Sequence, residues 1–352
     1  MKIIKLTNTA VLLLLIALVG CGSDERTIEV TQPNENQTLE EYILSQDFSG
    51  AIYVAQANDI ILSRGVGLAN EQANIINTSD TIFRIGSITK QFTAAAILLL
   101  QERGQLTLDD PISEHLSDFP SGDSITIYHL LTHTSGLQNY TDLSSFNKVI
   151  NDTLSPEQVM DLFKDLPLKF APGSQFNYSN SGFIVLGVII ERLTGMTYQD
   201  FMVNEVFQPL SMSNSGYATN TSSDSQVAQG YSADGNSTVF IDMSLPYSAG
   251  SLISTVSDLA MWDRALYETN LLSDDSKAQM FTPNLEQYAL GWRISSVADS
   301  EETVYVHSGN ISGFSSIIMR FPQSEKVIII LANIDSYPTR DLAMNIYEFL
   351  KN

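Results

Sequence analysis

The chain has 352 residues, with 18 basic and 40 acidic side chains, four histidines and one cysteine. At roughly 100–200 residues per domain this suffices for about two domains and a large core, and 43% apolar content excludes a disordered chain. A net charge of −22 excludes a nucleic-acid partner, which needs clustered Lys and Arg, and a single cysteine excludes an internal disulfide or a Cys-based zinc or iron–sulfur centre.

Met1–Lys5 carries Lys2 and Lys5, and Ala10–Val19 follows as an unbroken apolar run. Such a run is about half of what a membrane-spanning helix needs and fits a secretory signal. It ends in Leu18-Val19-Gly20-Cys21, which resembles a bacterial lipobox, with lipid on the Cys and cleavage after Gly20. Residues 1–20 are therefore expected to be a lipoprotein signal peptide, with Cys21 lipidated; an ordinary secretory signal is the plainer alternative. The expected location is the cell envelope; Gly22 after Cys21, with no Asp there, is compatible with the outer membrane's periplasmic face or the cell surface if the cell is Gram-negative. Residues 21–37 are polar and read as a flexible tether.

Folded structure is expected from residue 38. Leu39–Leu44 reads as a short amphipathic helix, and Gly50–Gln56 and Ile60–Gly67 as a hairpin around Ala57-Asn58-Asp59. Thr89–Arg103 has no Pro or Gly, is apolar from Phe92 to Leu100 and stops at Gly104, which predicts a helix. From residue 106 to about 244 helical segments alternate with polar loops, as at Ile125–Leu131, Pro156–Phe163 and Gly182–Leu193. Strand character returns at Leu290–Ser295, Thr303–His307, Phe314–Phe321 and Lys326–Asn333, and a helix over Thr339–Leu350 closes the chain. Strands at both ends imply an α+β domain over 38–352. Its antiparallel sheet would be built from both chain ends and flanked by helices (about 38–105 and 245–352), with a mainly helical region (about 106–244) inserted.

There is no Gly-x-Ser-x-Gly elbow, no P-loop and no Gly-x-Gly-x-x-Gly after a strand. His129 and His133 have the i,i+4 spacing of a zinc helix, but the Glu of that motif is missing and only His115 and His307 remain. A metal is not expected, and His133 reads as bonding backbone in the loop Thr132–Gly136. Ser-x-x-Lys occurs at Ser87–Lys90 and at Ser145–Lys148. Only the first opens an apolar helix, where Lys90 lies on the same face as Ser87 and the helix N-terminus favours negative charge; the second reads as surface. Tyr178-Ser179-Asn180 directly precedes the apolar helix at Gly182, and a phenol near a lysine can shuttle protons. His307-Ser308-Gly309 is placed at a strand end, where a glycine lets an acyl group approach the Asn310 N–H.

These three motifs in this order resemble the serine β-lactamase and penicillin-binding protein superfamily. The Tyr-x-Asn form is similar to the class C β-lactamase-related family, with its D-Ala-D-Ala carboxypeptidases, D-aminopeptidases and esterases. Leu130–Leu137, Ala171–Gly173, Pro209–Met212, Gly250–Thr255 and Gly309–Phe314 extend the likeness along residues 39–350. The resemblance implies a β-lactamase-like fold, no cofactor, and a small-molecule or peptide substrate. It makes Ser87 the acylated nucleophile, with Lys90 and Tyr178 sharing acid–base work. The N–H groups of Ser87 and Asn310 become an oxyanion hole, while Asn180, His307, Ser308 and Gly309 meet the substrate. His307 stands where the β-lactamases usually carry Lys, and a neutral imidazole holds a substrate carboxylate less firmly. The expected function is a membrane-tethered serine hydrolase acting through an acyl-enzyme on an ester, a D-amino-acid peptide or a β-lactam. The alternatives are a slow or inert binding protein on this fold and, more distantly, a metal hydrolase through His129 and His133.

Overall fold

The computed structural model describes residues 29–351 except 35, 221–226, 235–237, 269–270 and 298–300, so the Cys21 expectation lies outside the described residues. Thr38 accepts from the Glu41 N–H and Glu41 accepts from that of Thr38, a capping box that starts helix α1 (Leu39–Leu44). Thr31, within the span read as tether, bonds Gln46 through its N–H, and its carbonyl accepts from Tyr42 and Asn345. These contacts are polar, so hydropathy gives no trace of them.

Strands β1 (Gly50–Gln56) and β2 (Asp59–Val66) form the expected hairpin, with Ala57 in the turn at φ +51°. Helix α2 (Thr89–Glu102), helix α3 (Asn180–Thr194) and helix α4 (Val256–Glu268) follow. Strands β3 (Arg293–Ser296), β4 (Thr303–Ile311), β5 (Phe314–Phe321) and β6 (Lys326–Ala332) and helix α5 (Thr339–Phe349) complete the frame. The sheet runs β2-β1-β6-β5-β4-β3 with every pair antiparallel. The first and last parts of the chain meet in its middle, Gly50 opposite Ala332 and Gln56 opposite Lys326.

Alternation along the strands divides the core in two. Ile52, Val54, Ile317, Ile328 and Ile330 pack with Tyr42 of α1 and Leu342 and Ile346 of α5. Ala51, Ala55, Ile318, Ile329 and Leu331 belong to the other cluster, with Phe92 of α2 and Trp262 of α4. With both faces covered, β5 is buried along its whole length, as continuous apolar strands are. Arg320 on β5 is buried too, and its Nε donates to Asp263 of α4 at 2.8 Å.

Between α2 and residue 245 the regular elements among the described residues are nearly all helices, joined by long loops, and α3 packs against α2. Every residue of α2 from Thr89 to Leu100 is buried, which is why the run from Phe92 to Leu100 is apolar almost throughout rather than striped. A short ladder pairs Phe83–Arg84 with Leu252–Ser254, drawing the segment before Ser87 beside the one after Ala249.

One strand differs from expectation. β4 does not end at His307 but continues through Gly309 and Asn310, which lie opposite Ser316 and Ser315 of β5. His307 therefore stands in mid-strand. A glycine usually weakens a strand, but here a Cβ on Gly309 would come within 2.1 Å of the Ile85 carbonyl oxygen, so only glycine allows the two segments to pack.

Candidate active site

Ser87 lies in a single 3₁₀ turn, Gly86–Ile88, that runs directly into α2. Gly86 has φ +50°, and a Cβ there would come within 3.0 Å of the backbone nitrogen of Asn310. The turn and β4 thus touch backbone to backbone, which sets the Asn310 nitrogen beside the residue preceding Ser87. Ser87 is half-buried, whereas Lys90, one turn further on, is fully buried.

The surroundings of Lys90 carry the chemistry. Its Nζ lies 3.0 Å from Ser87 Oγ and donates to Asn180 Oδ1 and to the Ala249 carbonyl, both at 2.8 Å. Burial pushes the amine well below its ordinary value. A neutral amine has two N–H groups and one lone pair. Asn180 Oδ1 and the Ala249 oxygen can only accept, so they hold two N–H groups of the amine, and the remaining position on the nitrogen, an N–H or, once the amine is unprotonated, a lone pair, faces Ser87 Oγ.

Tyr178 is half-buried, with Lys90 Nζ 5.0 Å from its ring centre. Burial keeps its phenol proton on, against the opposing pull of a hydrogen bond with Ser87 and the charge of Arg293. Lys90 and Tyr178, the latter holding its proton, therefore flank one serine hydroxyl. Asn180, expected to face substrate, is engaged at both ends of its amide, with Oδ1 on Lys90 and Nδ2 donating to Thr141 at 3.3 Å.

His307 is 7% exposed, with its ring centre 6.3 Å from that of Tyr178. Nδ1 lies 2.8 Å from the Ser308 carbonyl and Nε2 2.9 Å from the Tyr288 hydroxyl. The carbonyl can only accept, so Nδ1 carries the proton and Nε2 accepts from Tyr288. Burial first, then the Lys90 and Arg293 charges, push the ring down to about 3, and it is neutral.

His133 bonds a different segment from the one expected. Its Nδ1 accepts from the Ser179 N–H at 3.2 Å, and its ring lies 4.2 Å from that of Tyr178 and 4.6 Å from that of Tyr288. His129 accepts the Thr126 N–H on Nδ1, so the two rings that could have shared a metal serve separate backbone groups. Among the described residues no cluster of three His, Cys, Asp or Glu converges. In the second Ser-x-x-Lys, Ser145 precedes a four-residue helix and Lys148 is exposed.

Sequence reasoning missed Tyr288 and Arg293. Tyr288 follows the loop residues Glu286 and Gln287, both at positive φ, where no spacing marks it. Arg293 did leave a trace. It begins β3 opposite Val306, next to His307, so pairing the two expected strands would have placed a cation beside the third motif. Its guanidinium lies 5.9 Å from the centre of the Tyr288 ring and 5.6 Å from that of Phe176.

A family model described as Beta-lactamase matches residues 36–352. The Bacillus subtilis (strain 168) protein PbpX, assigned by name to the penicillin-binding proteins, is 32% identical over 310 residues, 86% of this chain and 75% of that protein. A solved penicillin-binding protein from Bacillus halodurans matches with a TM-score of 0.76 at 30% identity, over 86% of this chain and 95% of that one. A D-stereospecific amidohydrolase from Streptomyces sp. matches with a TM-score of 0.71 at 27% identity, over 85% and 93%. A serine–lysine–tyrosine centre under β4 of a sheet closed by both chain ends, matched over nearly the whole folded length, places this chain in the beta-lactamase family, among the β-lactamase and penicillin-binding serine hydrolases.

Proposed function

We propose that the chain hydrolyses an amide or ester through a covalent intermediate on Ser87. The observation that carries this reading is the bonding of Lys90, whose two N–H groups go to fixed acceptors while its nitrogen lies 3.0 Å from Ser87 Oγ. Ser87 Oγ attacks the substrate carbonyl carbon as its proton passes to Lys90, and the carbonyl oxygen gains negative charge between the N–H groups of Ser87 and Asn310. The Tyr178 hydroxyl then gives its proton to the leaving nitrogen or oxygen and is reprotonated from Lys90, which restores both groups. Water attacks the ester on Ser87, releases the acid and returns the proton to the hydroxyl. Asn180 holds Lys90 through Oδ1 and has a second Nδ2 hydrogen for the substrate, and Ser308 and Gly309 form the strand edge along which the acyl group lies.

The substrate class follows from the third motif. His307 is neutral, so it offers a substrate carboxylate no charge; Arg293, on the neighbouring strand, supplies the cation that a lysine would otherwise provide. A peptide that ends in a free carboxylate fits this arrangement best, and the likeness to a D-stereospecific amidohydrolase favours a D-residue in it. Purified protein is expected to turn over at least one of a peptide ending in a D-amino acid, a p-nitrophenyl ester and a penicillin, with the D-ending peptide preferred to its L-counterpart and all turnover lost in Ser87→Ala. Folded protein inert toward all three would favour the non-catalytic binding reading.

We also propose that the protein is exported and held at a membrane by lipid on Cys21. The support is the apolar run Ala10–Val19 and the small residues around Cys21. In cells expressing the full chain, the protein should sediment with membranes and enter a detergent phase, and Cys21→Ala should shift it to the soluble fraction. Membrane association unchanged in that variant would rule out the anchor.

A further inference from the structure

A recess of about 190 Å³ opens beside the C-terminal end of α3, lined among others by Leu154, Pro156, Glu191, Thr197, Tyr217 and Tyr247. It shares no residue with the Ser87 site. Tyr247 is 4% exposed, and its hydroxyl is buried beside the Glu191 carboxylate. Its backbone sits at φ +39°, a region that a bulky residue rarely adopts and that marks functional sites more often than ordinary turns. The surroundings hold it there, since the next residue, Ser248, donates to the Phe183 carbonyl and its own carbonyl accepts from Thr93.

Glu191 is the one acid among the residues that line the recess. Glu191 accepts the Tyr198 N–H on Oε1 at 2.7 Å, and no Lys or Arg lines the recess. Tyr217 donates its hydroxyl to the Met243 carbonyl, which leaves its ring to form a wall. Burial and the Glu191 charge hold the Tyr247 proton on, so the carboxylate is the one charged group there. Leu154 and Pro156 make the remaining wall apolar.

We propose that this recess binds a small organic cation, an ammonium group carried on a single ring or short branched chain. The ammonium would sit against the Glu191 carboxylate, with the phenols of Tyr217 and Tyr247 beside it. The carbon part would lie against Leu154 and Pro156. Size supports this occupant. A dry cavity of about 150 Å³ holds a benzene ring, so the present volume takes a ring with an aminomethyl group and little more. The net charge of −22 draws small cations to the surface and repels anions. The proposal is independent of the Ser87 chemistry and is tested without it.

Calorimetric titration of the purified protein with benzylamine is expected to show saturable one-to-one binding, and benzyl alcohol, of the same shape without the charge, should bind at least tenfold more weakly. Glu191→Gln keeps an acceptor for the Tyr198 N–H and should weaken benzylamine at least tenfold, while Leu154→Trp, which fills the recess and leaves that bond untouched, should abolish binding. Absence of saturable binding to the wild type, equal affinity for the alcohol, or full affinity in folded Leu154→Trp would each overturn the proposal. The last two comparisons decide the matter even if Glu191→Gln fails to fold.

Discussion

Replacing Lys90 by Met should slow acylation of Ser87 by about 10²–10⁴-fold, the usual contribution of a positioned general base. Met fills nearly the same space, so loss of packing is small compared with loss of the acceptor nitrogen. The substitution also leaves Asn180 Oδ1 and the Ala249 carbonyl without their donor, at a cost of about 1–3 kcal/mol each where they stay dry. Thermal melting would separate that stability loss from the catalytic one. The pH profile carries a sign as well. The amine acts only when unprotonated, so the wild-type rate must rise with pH, and because burial lowers its pKa the rise must fall below the ordinary lysine value of 10.5. In Lys90→Met that limb should vanish. In Tyr178→Phe it should persist at a reduced rate, because the phenol donates to the leaving group and does not take the serine proton. A folded Met variant with wild-type rate, or an unchanged limb, would remove Lys90 from the base role.

Gly309→Ala is expected to cost both stability and activity. The added methyl would meet the Ile85 carbonyl oxygen at 2.1 Å and Ser316 Oγ at 2.4 Å. The serine side chain can turn away, but the Ile85 backbone cannot without moving Gly86 and Ser87 with it. Overpacking of this kind costs roughly 1–3 kcal/mol, and a displacement near 1 Å at a reacting group can reduce rate by about 10²-fold. Ser308→Ala on the same strand adds no atoms and is the control for β4 itself. Denaturant melting and acylation rates measured together should show both deficits in Gly309→Ala alone. Wild-type stability in that variant would mean that β4 and the Ser87 turn are not in the close contact described.

The parts of the site legible in the sequence were those that local structure creates. Ser87 and Lys90 share a helix face because three residues make nearly one turn, and the apolar stretch behind them announces the helix. Tyr178 and Asn180 were marked by standing just before another buried helix. What stayed hidden depends on contacts between distant segments. Glycine normally reads as a strand's end, yet β4 continues through Gly309 because Ile85, more than two hundred residues earlier, packs against its backbone. The bonds that hold the Asn180 amide to Lys90 and Thr141 left no mark in the sequence either. His133 carries no spacing that ties it to Ser179, and Tyr288 sits after an irregular loop whose path no periodicity describes. Arg293 lay within reach through strand pairing, one residue out of register with the third motif.

The same division applies to the fold. Both chain ends could be assigned to one sheet because their strands are apolar and short-looped. The docking of Thr31 onto Gln46, Tyr42 and Asn345 is made of polar bonds in a stretch with the composition of a linker. The buried Arg320–Asp263 pair is equally silent in hydropathy, since an arginine in a strand ordinarily faces water.

The central claim is that Ser87 is the residue that becomes acylated. Mass spectrometry of the intact protein, followed by peptide mapping, after separate incubation with a fluorophosphonate and with a penicillin tests it most directly. At least one probe should leave a single stoichiometric adduct on Ser87 and none in Ser87→Ala. An adduct mapped to another residue, or none from either probe on folded protein, would contradict it.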